Sequence, residues 1–363
     1  MGKPLKILAI DTSCDETSAA VTEGIRILSN IVWSQASLHA KFGGVYPSLA
    51  QREHKSRINW VVEKAIGNSG LKIQNIDAYA VTVGPGLAIA LGVGINKAKE
   101  LAKKYTKPLI AVNHIEGHLL SSLARTKDDQ FSMTNDQLKK TFPAIGLVVS
   151  GGTTQVILAE RLGKYNILAT TSDDALGEAL DKGARALGLG YPGGAVLEKI
   201  ARNGRINSYP LPIPLAGRES LSKFSYSGLK TALVRLVEKI NTEKGVLDKT
   251  DIQNLAISYQ DVAFEHIVRV LSFIIGKWKM ENGNLLIGGG VAANVELRKR
   301  LRKLAKENSL TIHFPYSQKL YTDNAAMIGI SAFFNYQQGK FLKPSQLQRI
   351  DRKPKLKINE ELF

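Results

Sequence analysis

The sequence predicts an α/β fold. Short apolar runs of strand length alternate with longer stretches of helical length. Glycine- and proline-containing turns separate these runs along the chain. The chain has 363 residues, of which 44% are apolar, so it can bury the cores of roughly two domains.

Strands and helices alternate in the first third of the chain. The first two strands pair across a polar turn, and the third strand ends in the Gly84-Pro85-Gly86 turn before a helix. The strands are predicted at residues 6–11, 18–23, 77–83 and 108–113. One helix is predicted to end near residue 105, and a second to span residues 115–124.

The rest of the chain repeats the pattern after a polar segment, residues 127–140, which we expect to be a loop between lobes. Strands are predicted at residues 144–150, 155–160 and 285–287, and the last leads through three glycines towards a helix. The tail from residue 346 is basic and contains Pro354, so we expect it to be loosely ordered.

Two segments about 140 residues apart echo one another. Residues 7–13 and residues 146–154 are both apolar strands that deliver small polar residues to a turn before a second strand. This pattern is typical of a duplicated nucleotide-binding domain with two hairpin loops facing a cleft, although strand-turn-strand units are common in other folds.

The charge balance favours a polyanionic partner. Lys and Arg number 49 and Asp and Glu 32, a net charge of +17. Such an excess is typical of nucleic-acid binding or of contact with an anionic membrane surface, and a basic but inert surface is the alternative. The single cysteine, Cys14, excludes an internal disulfide framework and a cysteine-based zinc finger.

No export or membrane segment is predicted. The apolar start is too short for a signal peptide and ends at Asp11. Two uncharged windows of spanning length, residues 78–96 and 141–159, are interrupted by glycine turns, so we expect a strand, a tight loop and a second buried element in each. The expected compartment is the cytoplasm.

His114 and His118 follow a predicted strand directly. In a helix, their spacing puts both imidazoles on one face, where they can share a metal ion. A zinc-protease motif needs glutamate directly after the first histidine, but Ile115 holds that place and Glu116 would point roughly 200° away. Asp323 is a candidate third ligand, and a helix N-cap is the alternative interpretation for it.

Two glycine turns suit a bound nucleotide. Residues 150–154 and Gly288-Gly289-Gly290, which leads towards Asn294, let backbone N–H groups approach phosphate oxygens closely. Neither turn is a P-loop, and no G-x-G-x-x-G follows the first strand.

Three carboxylates are candidates for a role beside these turns. Asp181 lies upstream of residues 191–194 and of Glu198, where a carboxylate could accept hydrogen bonds from ribose hydroxyls; an exposed helix acid is the alternative. Asp15 and Glu16 lie in the first hairpin turn. They are either solvated, or face the cleft to bind metal or take a proton.

Residues 297–306 predict an amphipathic helix. Leu297, Leu301 and Leu304 form its buried stripe, and six cations cover the rest. The cationic face is a candidate contact for a nucleic-acid backbone, with a solvated face as the alternative.

Together these segments resemble one family over nearly the whole chain. The sequence is similar to the TsaD-like tRNA threonylcarbamoyladenosine synthase family, formerly labelled a glycoprotease family. The resemblance rests on ordered blocks at residues 10–18, 42–47, 52–54, 83–87, 114–118, 149–152, 181–182, 191–194, 224–230 (FSYSGLK), 288–294 and 322–326.

The resemblance implies an actin/hexokinase/Hsp70-like fold, in which two duplicated lobes enclose a central cleft. The N-terminal lobe would comprise residues 1–143 and 325–345, and the C-terminal lobe residues 144–324. A basic tail would follow at residues 346–363. Two positions depart from the family pattern, since Asp11 replaces a more usual glutamate and Thr153 replaces a histidine.

The resemblance also implies the site residues. His114, His118 and Asp323 would be the metal ligands, with iron(II) the usual metal and zinc or another divalent ion the alternative. Apart from the resemblance, we predict from the first hairpin turn that Asp15 or Glu16 handles a proton or orients the amine. The nucleotide-substrate site would be lined by Val148, Val149, Ser150, Gly151, Gly152, Asp181, Gly194, Glu198 and Asn294.

The implied reaction moves a threonylcarbamoyl group from threonylcarbamoyl-AMP to the exocyclic amine of the adenosine adjacent to the tRNA anticodon. The implied partners are tRNA, a smaller paralogous protein of the same fold, a P-loop ATPase and an upstream adenylate-forming enzyme. The alternatives are a metallopeptidase, a sugar kinase or ATPase on the same fold, and a nucleotide- and tRNA-binding module without acyl transfer.

Overall fold

Two β-sheets organise the protein in a computed structural model, which describes residues 5–126, 128, 140–279 and 283–363. The strands of the first sheet are β1 Lys6–Asp11, β2 Glu16–Glu23, β3 Arg26–Ser34, β4 Ala78–Gly84 and β5 Leu109–Asn113. They lie in the order β3-β2-β1-β4-β5, in which β1 is antiparallel to β2 and parallel to β4.

The second sheet repeats this arrangement. Its strands are β6 Ala144–Val149, β7 Thr154–Arg161, β8 Lys164–Thr171, β9 Lys223–Phe224, β10 Asn284–Gly288 and β11 Thr311–His313. They lie in the order β11-β10-β6-β7-β8-β9, with β6 antiparallel to β7 and parallel to β10. The predicted echo between the two hairpins is therefore confirmed, and β9 is an addition at one edge of the second sheet.

The helices pack on both sheets. They are α1 Ala36–Ala40, α2 Pro47–Ser69, α3 Ala88–Lys104, α4 His114–Leu120, α5 Leu176–Ala186, α6 Gly194–Ala201, α7 Ser227–Lys244, α8 Lys249–Trp278, α9 Val295–Glu307 and α10 Ala325–Gln337. The predicted helix at residues 115–124 is shorter than expected, because a 3-10 turn over Ser121–Leu123 replaces its last part. Most of the predicted loop at residues 127–140 lies outside the described residues.

Helix α4 lies at the junction of the two sheets. Apolar residues from both sheets, such as Ile110 and Leu286, share one core cluster with Ile115 and Leu119 of α4. A Cβ atom at Gly288 of β10 would lie only 2.0 Å from the carbonyl oxygen of His118, so this strand position requires glycine. The close approach fixes α4 against the second sheet.

The C-terminal tail is ordered, and the expectation that it is loose is wrong. Ile350, Leu356 and Ile358 are buried against the first sheet and its helices. The Lys353 amide donates to the Val83 carbonyl at 2.7 Å. Apolar side chains and backbone hydrogen bonds therefore hold the tail, while its cations Arg349, Arg352, Lys355 and Lys357 stay exposed.

The predictions for the two uncharged windows and for the leucine stripe of α9 are confirmed. The uncharged window at residues 78–96 forms β4 and the start of α3, and the window at residues 141–159 forms β6 and most of β7. No helix in the described part of the chain is both long and apolar enough to cross a bilayer. Helix α9 buries Leu297, Leu301 and Leu304, as its amphipathic pattern predicts.

Candidate metal centre and substrate cleft

Helix α4 carries the histidine pair. It begins directly at the end of β5, because the Asn113 side chain accepts hydrogen bonds from the amides of Ile115 at 2.8 Å and Glu116 at 3.3 Å. His114 and His118 are one turn apart on this helix, with ring centroids 4.7 Å apart. Both side chains are buried.

Asp323 reaches the same point from the far end of the chain. Its Oδ1 atom lies 3.5 Å from His114 Nε2 and 3.1 Å from His118 Nε2. The N-cap interpretation of Asp323 is wrong: Asn324 caps α10 by accepting a hydrogen bond from the Met327 amide at 3.2 Å. The Asp323 carboxylate therefore faces the imidazoles.

The three side chains fit a metal ion. One nitrogen of each histidine and one Asp323 oxygen all lie within 4.8 Å of one another. The His118 ring is buried, and its Nε2 atom faces Asp323 Oδ1 at 3.1 Å without a well-formed hydrogen bond. A buried polar atom without a good partner is costly, and a divalent cation bound by two imidazoles and a carboxylate would satisfy the nitrogen that faces Asp323.

The charges of this cluster are mutually dependent. Burial opposes ionisation of Asp323, but the neighbouring histidines outweigh it and hold the pKa of its carboxyl far below the usual range. Burial also disfavours the His114 imidazolium, yet Asp323 and then Asp11 raise its pKa to about 9. Burial lowers the pKa of His118. The cluster thus keeps one carboxylate ionised beside two imidazoles, and a bound cation would replace the proton on His114.

Asp11 is a residue of this centre that the sequence analysis did not assign to it. It ends β1, is buried, and lies 3.7 Å from His114 Nδ1 through its Oδ2 atom. That oxygen has no hydrogen-bond partner within the described residues. A carboxylate behind a metal-binding imidazole orients the ring and raises its basicity. The aspartate that replaces glutamate at this position therefore faces the Nδ1 side of the His114 ring, away from Asp323.

Glu116 points to the other side of α4. Its carboxylate accepts hydrogen bonds from the Tyr165 hydroxyl at 2.9 Å and from the Asn335 side chain at 3.2 Å. It is buried in this polar contact between α4, β8 and α10. The predicted direction of Glu116 is confirmed, so it does not supply a base beside the histidines.

The turn between β1 and β2 presents Asp15 and Glu16. The Asp15 carbonyl accepts a hydrogen bond from the Gln35 amide, and the Ser34 hydroxyl donates to Glu16 Oε1 at 3.1 Å. Burial, and then the charge of Asp15, raises the pKa of Glu16 well above the usual range. A glutamate with a raised pKa is a stronger base when ionised.

The opposite turn joins β6 to β7. Val148 and Val149 are buried at the end of β6, whereas Gly151 and Gly152 are exposed. The Ser150 amide donates to the Thr153 carbonyl at 2.8 Å, which closes the turn. The second glycine turn is its neighbour, since a Cβ atom at Gly289 would lie 2.3 Å from the Val149 carbonyl oxygen. The two glycine turns therefore form one surface.

Asp181 on α5 fixes a third glycine-containing turn, at Gly193 and Gly194. Its Oδ1 atom accepts hydrogen bonds from the amides of Gly193 at 2.9 Å and Gly194 at 2.8 Å, at the start of α6. The alternative of an exposed helix acid is therefore wrong for Asp181. Burial, followed by the charges of Asp15 and Asp181, raises the pKa of Tyr191 to about 12, so Tyr191 is close enough to sense an acid of the β1–β2 turn and an acid of α5.

Glu198 and Asn294 join α6 to α9. Glu198 accepts a hydrogen bond from the Val295 amide at 3.1 Å. Asn294 is buried, caps α9 through the amides of Glu296 and Leu297, and donates to Gln260 at 3.0 Å. A cavity of about 610 Å³ opens beside these residues and is lined by Glu198, Gln260 and Val295 among others. Gln260 was not predicted, because nothing near it in the sequence resembles a site.

Comparison with known proteins identifies the family to which the chain belongs. Residues 26–330 match the TsaD family, described as tRNA N6-adenosine threonylcarbamoyltransferase. A protein of that name from Clostridium novyi (strain NT) is 41% identical over 362 residues, which cover 99% of this chain and 100% of the relative. The chain belongs to the TsaD family. Another relative of the same name, from Microcystis aeruginosa, is 42% identical over 92% of this chain and 93% of its own length.

A solved structure supports the fold. Component A of (R)-2-hydroxyglutaryl-CoA dehydratase from Acidaminococcus fermentans is 14% identical and covers 91% of this chain and 98% of its own, with a TM-score of 0.50. Together with the repeated sheet topology, this likeness confirms the actin/hexokinase/Hsp70-like fold expected for the TsaD family.

Proposed function

We propose that this protein is a tRNA N6-adenosine threonylcarbamoyltransferase. It would transfer the threonylcarbamoyl group from threonylcarbamoyl-AMP to the exocyclic amine of the adenosine adjacent to the anticodon, in tRNAs reading codons that begin with adenine. Membership of the TsaD family supports the reaction class. The observation that carries the proposal is the meeting of His114, His118 and Asp323 beside the glycine turns.

The transfer breaks the anhydride bond of the donor and forms an N–C bond. The adenosine amine attacks the carbamoyl carbon, AMP leaves with the electron pair of the anhydride bond, and the amine nitrogen loses a proton. The donor's phosphate would lie against the backbone amides of Gly151 and Gly152 and the Gly288-Gly289-Gly290 turn. Its nucleoside fits the wall that Asp181, Gly194, Glu198 and Asn294 build.

His114, His118 and Asp323 would hold the metal, with iron(II) proposed and zinc or another divalent ion as alternatives. When bound, such a cation polarises a carbonyl group and orients the threonyl part of the donor. We propose that the side chains which accept the proton lie in the turn after β1. Glu16, with its raised pKa, or Asp15 would accept the proton that the amine loses.

The proposed cellular setting follows the family resemblance. The protein would act in the cytoplasm with a smaller paralogous protein, a P-loop ATPase and an adenylate-forming enzyme. Residues 1–143 with 325–345 and residues 144–324 would be its lobes. The net charge of +17 supports tRNA as the partner, with the exposed cations of α9 and of the tail at residues 346–363 as candidate phosphate contacts.

The alternatives make different demands on the site. A metallopeptidase needs a base beside the metal, and Glu116 is bonded on the far side of α4. A sugar kinase has no need for the histidine pair. A binding module without acyl transfer would bind tRNA and nucleotide but leave the RNA unchanged.

Transfer of labelled threonine tests the proposal. Wild-type protein is incubated with the adenylate-forming enzyme, its partner proteins and tRNA, and the nucleosides of the recovered tRNA are separated. Label in a modified adenosine is expected, and its loss in Asp323→Ala is expected too. Unmodified tRNA with the wild-type protein would reject the transferase function.

A further inference from the structure

An exposed aromatic pair lies on the loop between α1 and α2. Phe42 and Tyr46 are 52% and 51% exposed, which makes them the two most exposed aromatic side chains in the described part of the chain. Their rings stack on one another, with centroids 5.2 Å apart and planes at 21°. Stacked aromatic surface kept in water is typical of a binding site rather than of a fold requirement.

The chain around this pair is rich in cations, and one of them contacts the pair. Lys41 Nζ lies 5.2 Å from the centre of the Phe42 ring. Residues 41–57 contain four cations, Lys41, Arg52, Lys55 and Arg57, and a single acid, Glu53. The Arg52 side chain is 75% exposed. Aromatic faces interleaved with cations suit single-stranded nucleic acid, whose bases stack while its phosphates pair with the cations.

Hydrogen bonds tie this loop to the second sheet's side of the cleft. The Gly43 carbonyl accepts a hydrogen bond from the Arg185 guanidinium. Arg185 belongs to α5, the helix whose Asp181 holds the glycine turn at Gly193. The loop that carries the aromatic pair is therefore bonded to the same helix that supplies Asp181 to the proposed nucleoside site.

The loop is also tied to the proposed proton acceptors. The Tyr46 amide donates to His39 Nδ1 at 3.3 Å, which assigns the other ring nitrogen, Nε2, as the donor to Gln35 Oε1 at 3.1 Å. The Gln35 amide then donates to the Asp15 carbonyl at 3.0 Å. The loop of the aromatic pair is thus connected to the Asp15 turn through two buried residues, His39 and Gln35, and to α5 through Arg185.

We infer that Phe42 and Tyr46 form a stacking platform for a base of the tRNA anticodon loop, next to the adenosine that is modified. The inference rests on the proposed function. An adenosine that enters the cleft must leave the stack of its own loop and lose its stacking energy there. A rigid aromatic surface at the rim restores stacking to a neighbouring base and holds the loop open.

RNA binding by the full-length protein tests the platform. The probe is an anticodon stem–loop RNA with an unmodified adenosine after the anticodon, and its comparison is the same stem closed by a short tight loop. Phe42→Ala and Tyr46→Ala should each weaken binding of the anticodon stem–loop roughly ten- to hundred-fold. Neither variant should change affinity for the closed stem, since a duplex offers no free base to stack.

Matched variants separate stacking from simple apolar contact. Tyr46→Phe keeps the aromatic face and should bind like the wild type, whereas Tyr46→Leu keeps apolar surface without it and should lose affinity. Trp60→Ala removes an aromatic side chain that is 43% exposed on α2, well beyond the loop, and should leave binding unchanged. Binding of the adenylate should be equal in all variants, which shows that the cleft is intact.

Two results would overturn the platform. Equal RNA affinity of wild type, Phe42→Ala and Tyr46→Ala would show that the pair does not contact RNA. If the same variants bound RNA normally but lost activity in the transfer assay, which contains the partner proteins, the pair would be a protein-docking surface. In both cases a wild-type protein that modifies tRNA would leave the proposed function standing, whereas a wild type that neither binds nor modifies tRNA would remove both.

Discussion

Asp323 Oδ1 lies 3.1 Å from His118 Nε2, although most of the second half of the chain separates the two residues in sequence. Two different sets of contacts create this proximity. Asn113 starts α4 at the end of β5, and Asn324 starts α10 one residue after Asp323. Because each helix has its own capping side chain, the histidines and the aspartate are all left for the cleft.

Metal content depends on this proximity. His118→Ala and Asp323→Ala should each bind far less metal than the wild type while remaining folded, because each removes one of three protein ligands. Elemental analysis of the purified proteins measures the effect. His313→Gln is the matched control, since His313 lies on β11 and bonds to Asn284. Equal metal content in all four proteins would refute the ligand set.

Gly288→Ala tests how α4 is positioned. The new methyl group would overlap the His118 carbonyl oxygen, so the variant should lose about 1–3 kcal/mol of unfolding free energy and bind metal more weakly. Gly276→Ala is the control, because that helical glycine has open space around its missing Cβ atom and alanine favours helices. Urea unfolding compares the two. Equal stability of both variants would contradict the close approach of β10 and α4.

Asp181 should matter to the adenylate more than to RNA. Asp181→Ala leaves the amides of Gly193 and Gly194 without their acceptor, and we expect adenylate affinity to fall about ten- to hundred-fold. Asp181→Asn retains a carbonyl acceptor and should lose less. Calorimetric titration with a stable adenylate analogue gives the affinities. A loss confined to tRNA binding would reverse the assignment of this wall.

His266 should make the fold sensitive to acid. Its Nε2 atom accepts a hydrogen bond from the Ser225 amide at 3.2 Å, and Phe224 and Tyr226 pack edge-on against the ring. Burial lowers the pKa of His266 to about 4. Asp173 and Glu219 oppose this shift through their charge, and Arg269 adds to it.

The sign of the pH effect follows from that shift. The unfolded chain takes up the His266 proton near pH 6.5, the folded chain only near pH 4, so acid favours the unfolded state between these values. His266 should remove about 2 kcal/mol of stability between pH 7 and pH 5. Urea unfolding at both pH values should show a smaller loss for His266→Gln. An equal loss in both proteins would mean that His266 titrates normally.

Local patterns in the sequence are sufficient to predict much of the fold. The apolar run at residues 6–11, the i and i+4 spacing of His114 and His118, and the leucine stripe of α9 each depend on neighbours in the chain. The local sequence makes Asp323 a candidate third ligand but favours an N-cap, and the family resemblance is what implies that it binds the metal.

Other features depend on contacts between distant segments. Asp11 lies behind His114 only because β1 and β5 flank β4 in one sheet. The tail carries many charges and a proline, which suggests disorder, but Leu356 and its apolar neighbours find a buried surface on the first sheet's helices. Neither the Asp11–His114 contact nor the surface that buries Leu356 is indicated by a local sequence pattern.

The most direct test is transfer to a tRNA whose target adenosine is replaced by inosine, which lacks the exocyclic amine. With labelled threonine, the adenylate-forming enzyme and the partner proteins, the wild-type protein should label normal tRNA and leave the inosine tRNA unlabelled. Asp323→Ala should label neither. Label in the inosine tRNA, or equal labelling by Asp323→Ala and the wild type, would contradict acyl transfer to that amine at the His114, His118 and Asp323 centre.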